Sequence, residues 1–409
     1  MWREKLLAAM CAMAGVLAVS ACFGDGGRGE AEPRVRIGFV TPRTGALAPY
    51  GDADAFAVTH LRRHFQRHPL RIGSESYAVD IIARDSESDP NRAAAVATDL
   101  VRAGAVDLIL VAGTAATVNP VSEVCAAHGV PCISTAAPWE EVASGPAERS
   151  AWTYHFFWGI ADAAAVYRDL WDRAGAGHTV AVLAPEDTTG TLWTEVLTTS
   201  LDGYEIVATE RYRPGLPAAE QGEQLRESVQ RLRASEAPIL LAVASPRDFA
   251  AFWAQARRAE YRPAVVTVAG GLAFPSLVDS LDEPGNLTTT VWWSPEHPFR
   301  SSLTGQSAAQ LAGTYTADTD AQWTQPIGHG HALFEVAAAA LVKAGSTDKA
   351  AIAQALATLR VDTVVGTVDW TAGPAPNIAT TPLAGGEWRE AIGSPFPYEV
   401  VIVAAPKGS

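Results

Sequence analysis

Short apolar runs alternate with longer amphipathic stretches along the chain from Val35 onward. The runs are rich in Val and Ile and bounded by Gly, Pro or Asp, which predicts buried strands; the first are "VRIGFV", "YAVDIIA", "DLILVAG" and "PCIST". The stretches between them carry apolar residues at helical spacing: "GDADAFAVTHLRRHF", "DPNRAAAVATDLVRAG" and "TVNPVSEVCAAHG". This alternation predicts a parallel sheet covered by helices on both faces.

The same alternation restarts after "WTYHFFWG", near residue 158, and continues to "AVVTVAGG", which predicts a second α/β lobe. The segment "TTTVWWSPEHPF" (288–299) predicts a strand that leaves this lobe. Ala-rich stretches at about 304–317, 329–345 and 347–359 predict helices. The later segments "VVGTVDWTAG" and "YEVVIVAA" are strand-like.

The first residues have the order typical of a secretory signal. Arg3 and Lys5 precede an apolar run from Leu6 to Val19, and small residues follow it. The run is shorter than the roughly 20 apolar residues that span a bilayer. We therefore predict a leader over residues 1–21 and, because residues 23–33 are rich in Gly and charge, a flexible tether over 22–33.

The quartet Val19, Ser20, Ala21, Cys22 resembles the bacterial lipobox. The resemblance implies cleavage before Cys22 and lipidation of its sulfur, and two or more acyl chains hold a protein stably at a membrane. An ordinary signal peptide with a chance cysteine is the alternative. In either case we expect an exported protein, and with the lipid it is anchored at the outer face of the cell membrane or in the periplasm.

Composition narrows the function classes. A chain of 409 residues favours two domains, and 48% hydrophobic residues favour a globular body. The net charge of −14, with Lys and Arg scattered, argues against nucleic acid as a partner. The motifs G-x-S-x-G, H-E-x-x-H, G-x-x-x-x-G-K-[ST] and a helix-opening G-x-G-x-x-G are missing from the sequence, so we expect no cofactor and no enzymatic activity. An exported enzyme remains a weaker alternative.

Two pairs of side chains raise the question of special chemistry. His329 and His331 in "GHGH" would face different sides of a helix, so helix capping or solvent contact is favoured over metal binding. Cys125 and Cys132 remain after the leader and the lipidated cysteine are set aside. An oxidising compartment predicts a disulfide between them, and two buried free thiols are the alternative.

Three stretches carry a resemblance to a known family: "VRIGFVTPRTGALAPYGDADAFAV", "ARDSESDPNRAAAVATDLV" and "VDLILVAGTAATVNPVSEVCAAHGVPCIST". They are similar to the leucine, isoleucine and valine binding proteins, which are periplasmic solute receptors of ABC importers. The resemblance implies an α/β fold of type I periplasmic binding proteins: two Rossmann-like parallel lobes joined by three hinge crossings. We place these crossings near 155–160, 286–292 and 364–370.

The first lobe is then predicted to hold residues 34–157 plus about 290–365, and the second 158–289 plus about 366–405. The resemblance also implies the function: a monomer that captures a small organic solute between its lobes and delivers it to a permease and ATPase complex in the membrane. A sensor of the same fold that signals to a membrane partner is the alternative.

The ligand crevice of such sheets lies beyond the carboxyl ends of the strands, where unpaired N–H groups at helix starts favour a carboxylate. The segment "GTAAT" occupies such a place, so its residues Thr114, Ala115 and Thr117 are candidate ligand contacts. The alternative is that the threonines merely cap the helix, and the two roles are compatible.

The resemblance adds Tyr50, the second ligand loop with Thr135 and Ala136, and three positions where this chain departs from its relatives. Pro138 stands where they commonly carry a threonine. Gly270 stands where they carry the acid that receives an ammonium group, and Thr189 where they carry a tyrosine. We add Trp139 and Trp158, and expect most other tryptophans in the core.

The preferred ligand is consequently a small organic acid or amide, aromatic in character, rather than leucine or valine. A modified amino acid is the alternative, with Glu140 or Asp187 replacing the missing acid.

Overall fold

The computed structural model describes residues 33–102, 104–143, 151–281 and 284–407. The predicted leader lies outside these residues, as does the tether apart from Pro33. In the part that is described, no helix combines the length and the hydropathy that a membrane span requires.

The strands, in chain order, are β1 Arg34–Thr41, β2 Leu70–Ile72, β3 Glu75–Asp85, β4 Leu108–Ala112, β5 Cys132–Thr135, β6 Thr153–Phe156, β7 Thr179–Pro185, β8 Glu205–Tyr212, β9 Ile239–Ala244, β10 Val265–Gly270, β11 Leu287–Val291, β12 Arg360–Thr363, β13 Gly366–Asp369, β14 Ile378–Ala379, β15 Leu383–Glu390 and β16 Tyr398–Lys407. The helices are α1 Ala48–Arg67, α2 Pro90–Arg102, α3 Ala115–His128, α4 Trp139–Ala143, α5 Ile160–Ala174, α6 Thr188–Ser200, α7 Ala218–Ala234, α8 Pro246–Arg258, α9 Pro275–Ser280, α10 Ala308–Thr319, α11 Pro326–Ala344 and α12 Lys349–Ala357.

Two twisted sheets organise the chain into two lobes. The first has the order β14-β6-β5-β4-β1-β3-β2, and its neighbours pair in parallel except for the hairpin of β2 and β3. The second has the order β16-β15-β11-β10-β9-β7-β8, in which β15 and β16 join antiparallel. Strands β4 and β9 are continuous apolar runs in the sequence because all of their residues are buried in the structure.

The chain passes between the sheets three times: after β6, after β11, and between β14 and β15. The third crossing therefore comes later than the expected 364–370, and residues 366–379 belong with the first lobe rather than the second. The reason is packing: Val368 and Trp370 lie in the core of the first lobe, and β14 pairs with β6.

Helix α11 lies in the middle of the first lobe, and its residues from Pro326 to Ala338 are all buried. The expectation of helix capping or solvent contact for its two histidines is wrong. His331 Nε2 lies 2.8 Å from the Ser301 hydroxyl, and His329 packs against the rings of Phe157 and Trp292. Burial lowers the pKa of both imidazoles, so they are neutral core residues.

The two remaining cysteines are free thiols, so the predicted disulfide is not present in this structure. Cys125 on α3 and Cys132 on β5 are both fully buried in one apolar cluster with Val118 and Val130. Burial, and then the neighbouring Cys132 thiol, raise the pKa of Cys125. Both residues therefore serve as small apolar side chains, which is the alternative that the sequence allowed.

Candidate functional site

A cavity of about 300 Å³ lies between the two sheets, at the carboxyl ends of their parallel strands. The first lobe contributes residues that directly follow β4 and β5, and the second lobe contributes residues that end or follow β7, β8, β9 and β10. Both lobes therefore form the cavity, at the place where open α/β sheets hold their ligands.

The wall from the first lobe consists mostly of small side chains and backbone. Thr114 precedes α3 in an extended conformation, and its side chain makes no capping bond. Ala115 and Ala116 begin the helix and line the cavity, so their backbone N–H groups belong to the unpaired first turn. This wall suits any polar group that accepts hydrogen bonds.

Seven of the predicted ligand residues line the cavity: Tyr50, Thr114, Ala115, Ala136, Trp158, Thr189 and Gly270. Three others do not. The Thr117 hydroxyl donates to the Thr114 carbonyl at 3.1 Å, and the Thr135 hydroxyl donates to the Phe156 carbonyl at 2.7 Å, so both satisfy the backbone instead. Trp139 begins α4 outside the cavity lining, with its backbone N–H donated to the Trp158 carbonyl.

Aromatic rings from the crossings and the second lobe form the opposite wall. Trp158 and Trp193 meet edge to face with ring centroids 6.2 Å apart, and Phe157 and Trp292 do so at 5.1 Å. All four side chains are buried. The indole nitrogen of Trp158 is buried and has no hydrogen-bond partner among the described residues.

Three carboxylates line the cavity, and two of them accept hydrogen bonds at helix starts. Asp187 caps α6 by accepting the Gly190 N–H at 2.9 Å. Asp248 accepts the Ser245 hydroxyl at 2.8 Å and the Gln221 amide. Both therefore fix helix starts at the edge of the cavity.

The third carboxylate, Glu141, connects the two lobes. Its Oε1 accepts the Trp193 indole N–H at 2.8 Å, from α4 of the first lobe to α6 of the second. Burial raises the pKa of Glu141 to about 7; the bond from Trp193 opposes this shift, whereas the charges of Glu140 and Asp187 add to it. Glu141 therefore titrates nearer to neutral pH than an exposed glutamate does.

A second contact between the lobes lies at Tyr50, whose ring meets Phe274 edge to face at 4.8 Å. Burial raises the pKa of Tyr50 to about 12, with smaller contributions from Glu141 and Asp54, so its phenol is neutral. With the bond of Glu141 to Trp193, this contact holds the lobes together over the cavity.

No Lys, Arg or His is found among the described residues that line the cavity. Of the two acids named as replacements for the missing one, Asp187 lines the cavity and Glu140 does not. The Glu140 carboxylate accepts the N–H groups of Ile160 and Ala161 at 2.9 and 3.4 Å and so caps α5. The lining also includes residues that were not predicted from the sequence, among them Glu141, Tyr212, Asp248 and Trp292. The adjacent pair of glutamates after the second ligand loop was the available signal for Glu141.

Residues 34–391 match the model of the periplasmic binding protein family. The chain belongs to this family. Its fold, two α/β lobes with largely parallel sheets, is that of the type I periplasmic binding proteins. Within the described residues, no cluster of three or more His, Cys, Asp or Glu could hold a metal ion.

Solved structures of other periplasmic binding proteins share this fold. A leucine binding protein from Thermotoga maritima superposes with a TM-score of 0.74 at 15% identity, over 90% of this chain and 98% of that one. A solute binding protein of an ABC transporter from Rhodopseudomonas palustris, in complex with 3,4-dihydroxybenzoic acid, gives 0.72 at 17% identity over 91% and 98%.

A branched-chain amino acid transporter substrate binding protein from Streptococcus pneumoniae, in complex with isoleucine, gives a TM-score of 0.72 at 17% identity, over 90% of this chain and 99% of that one. No curated protein sequence gives a significant match.

Proposed function

We propose that this periplasmic binding protein is the extracytoplasmic solute receptor of an ABC importer. It captures a small organic solute between its lobes and delivers it to a membrane permease. The observation that carries the proposal is the cavity of about 300 Å³ that both lobes form at the carboxyl ends of their strands. Pockets of about this volume or larger enclose small organic ligands.

The contacts across the cavity support capture by closure. The Trp193 indole nitrogen lies 2.8 Å from Glu141 Oε1, and the ring centroids of Tyr50 and Phe274 lie 4.8 Å apart. Both pairs separate when the lobes open, because their members belong to different sheets. A solute that adds contacts to both walls shifts the equilibrium toward the closed form.

The relatives support an ABC transporter as the partner. One of the solved structures is a solute binding protein of an ABC transporter, and another is the substrate binding protein of a branched-chain amino acid transporter. Their bound ligands, dihydroxybenzoic acid and isoleucine, are small organic molecules of the size that the cavity admits.

Tryptophan fluorescence and small-angle scattering against a panel of amino acids and aromatic acids test the proposal. At least one solute should change the fluorescence and reduce the radius of gyration, because Trp158, Trp193 and Trp292 line the cavity. The fluorescence change should weaken in Trp158→Phe and persist in Trp388→Phe, whose indole bonds to the Leu272 carbonyl elsewhere in the second lobe. A panel in which no solute closes the protein would contradict the proposal.

We also propose that Cys22 carries the lipid anchor; it lies outside the described residues, and the quartet at 19–22 supports it. Cys22→Ser should move the protein from the membrane fraction to the soluble fraction, because the acidic body has no attraction to anionic lipid. Cys11→Ser, within the predicted leader, is the matched control and should leave the distribution unchanged. Full membrane retention of Cys22→Ser would refute the anchor.

A further inference from the structure

The charge balance of the cavity says more about the solute than its volume does. We infer that the protein binds an organic cation, with the positive group of the solute against Glu141 and its apolar body against the aromatic wall. This inference rests on the proposed function and names the solute class for the same cavity. It differs from the organic acid that the sequence favoured.

Negative groups outnumber positive ones around the cavity. Glu141, Asp187 and Asp248 line it, and no basic side chain does so among the described lining residues. The unpaired N–H groups at the start of α3 correspond to only about half a positive charge. An anionic solute therefore increases the imbalance, a zwitterion leaves it as it is, and a cation reduces it.

Glu141 is the carboxylate best placed to pair with the solute. Asp187 and Asp248 each accept protein donors that fix a helix start. Glu141 is bonded through Oε1 to the Trp193 indole, and the same bond orients its carboxylate between the two lobes. The pairing is completed only in the closed form, so it couples recognition to closure.

The aromatic wall suits a cation as well as an apolar body. Trp158 and Trp193 lie edge to face 6.2 Å apart, on the side of the cavity where Trp193 reaches Glu141. A cation over the face of a tryptophan is attracted by the ring quadrupole, most strongly where water is excluded. Phe157 and Trp292 extend the same wall and offer surface to the rest of the molecule.

Calorimetry with three probes of similar aromatic body tests the inference. Phenethylamine carries an ammonium group, 3-phenylpropionate a carboxylate, and phenylalanine both; choline serves as an aliphatic cation. At pH 8, phenethylamine or choline should bind at least about tenfold more tightly than either phenylalanine or 3-phenylpropionate, because only these two carry a net positive charge that offsets the carboxylates lining the cavity.

Glu141→Gln should weaken binding of the better cation by about tenfold or more, since it removes the charge and keeps an acceptor for the Trp193 indole. Glu140→Gln is the matched control. It changes the neighbouring acid, which caps α5, and should keep the affinity within about threefold.

Binding of the cation should also tighten as the pH rises. Burial raises the pKa of Glu141 to about 7, so its ionised fraction grows about tenfold between pH 6 and pH 8. The groups that act on it are Glu140 on its own helix, Asp187 at the start of α6 and the neutral phenol of Tyr50 on α1. Glu141→Gln should remove this pH dependence.

The outcomes separate the two proposals. If phenylalanine or 3-phenylpropionate binds and closes the protein while the cations do not, the receptor function stands and the inference is overturned. Cation binding that is unchanged in Glu141→Gln also overturns it. If neither phenethylamine nor choline binds, the inference fails, and the receptor function is then decided by whether any solute in the wider panel induces closure.

Discussion

The two walls of the cavity differ in the size of their side chains. The first lobe presents Thr114, Ala115 and Ala136, which are small residues. The second lobe presents Trp193 and Tyr212, which are large and buried. A wall of backbone groups and small side chains accepts many ligands, whereas rings in fixed positions exclude most shapes. From this difference we expect the second lobe to select the shape of the solute and the first to supply general polar contacts.

Tyr50 and Glu141 are larger members of the first wall, and Glu141 makes the comparison sharper. It extends from the lobe of small side chains and bonds to a ring of the opposite lobe. Its raised pKa follows from this position, because the carboxyl group is buried there and lies near the charges of Glu140 and Asp187. We therefore expect any selectivity for the charge of the solute to arise where both walls meet.

The largest expected effect comes from removing a ring of the second wall. Trp193→Ala should lower the free energy of unfolding by about 3–5 kcal/mol, because the side chain is 4% exposed and packs in the core of that lobe. Thr114→Ala in the first wall should cost less than about 1 kcal/mol, since its side chain makes no capping bond. Urea denaturation measures both. Comparable losses for the two variants would contradict the distinction between the walls.

The fold was largely predictable, because buried parallel strands appear as continuous apolar runs and their helices keep a regular spacing. Strand β15 was not predicted. Its sequence "LAGGEWRE" resembles a loop, since glycines count against a strand. The structure requires them: a Cβ at Gly385 would lie 2.8 Å from Leu170, and one at Gly386 2.5 Å from Val291. Such contacts join distant segments, so no local pattern reveals them.

The site was predictable where the backbone defines it and unpredictable where the lobes meet. The loops after β4 and β5 follow from strand ends, which the sequence shows. The pairing of Glu141 with Trp193 joins residues 52 positions apart and depends on how the second lobe is placed over the first. Neither residue has a local signal for that arrangement.

A smaller effect isolates the bond between the walls. Trp193→Phe keeps most of the ring and removes the indole N–H, which leaves Glu141 Oε1 without this donor. We expect a loss of about 2 kcal/mol in the free energy of unfolding at pH 8.5, where Glu141 is ionised. At pH 5.5 Glu141 is protonated with or without the bond, because its pKa lies near 7, so the loss should be smaller.

Trp388→Phe is the matched control for this pH dependence. Its indole N–H donates to the Leu272 carbonyl at 3.1 Å, an acceptor that does not titrate. Urea denaturation of both variants at both pH values should give a pH-dependent loss for Trp193→Phe and a constant loss for Trp388→Phe. A constant loss for both variants would mean that Glu141 is not the titrating acceptor.

The smallest effect concerns the backbone of the two walls. Each wall has a glycine with positive φ at the end of a strand: Gly113 after β4, at +143°, and Gly270 at the end of β10, at +80°. A Cβ at Gly270 would meet nothing within 4 Å, so Gly270→Ala should cost only the backbone strain, about 1 kcal/mol. A Cβ at Gly113 would lie 2.6 Å from the Thr117 hydroxyl oxygen, so Gly113→Ala should cost more than that by urea denaturation. Equal losses of unfolding free energy in the two variants would show that the first wall is packed no more tightly at its backbone than the second.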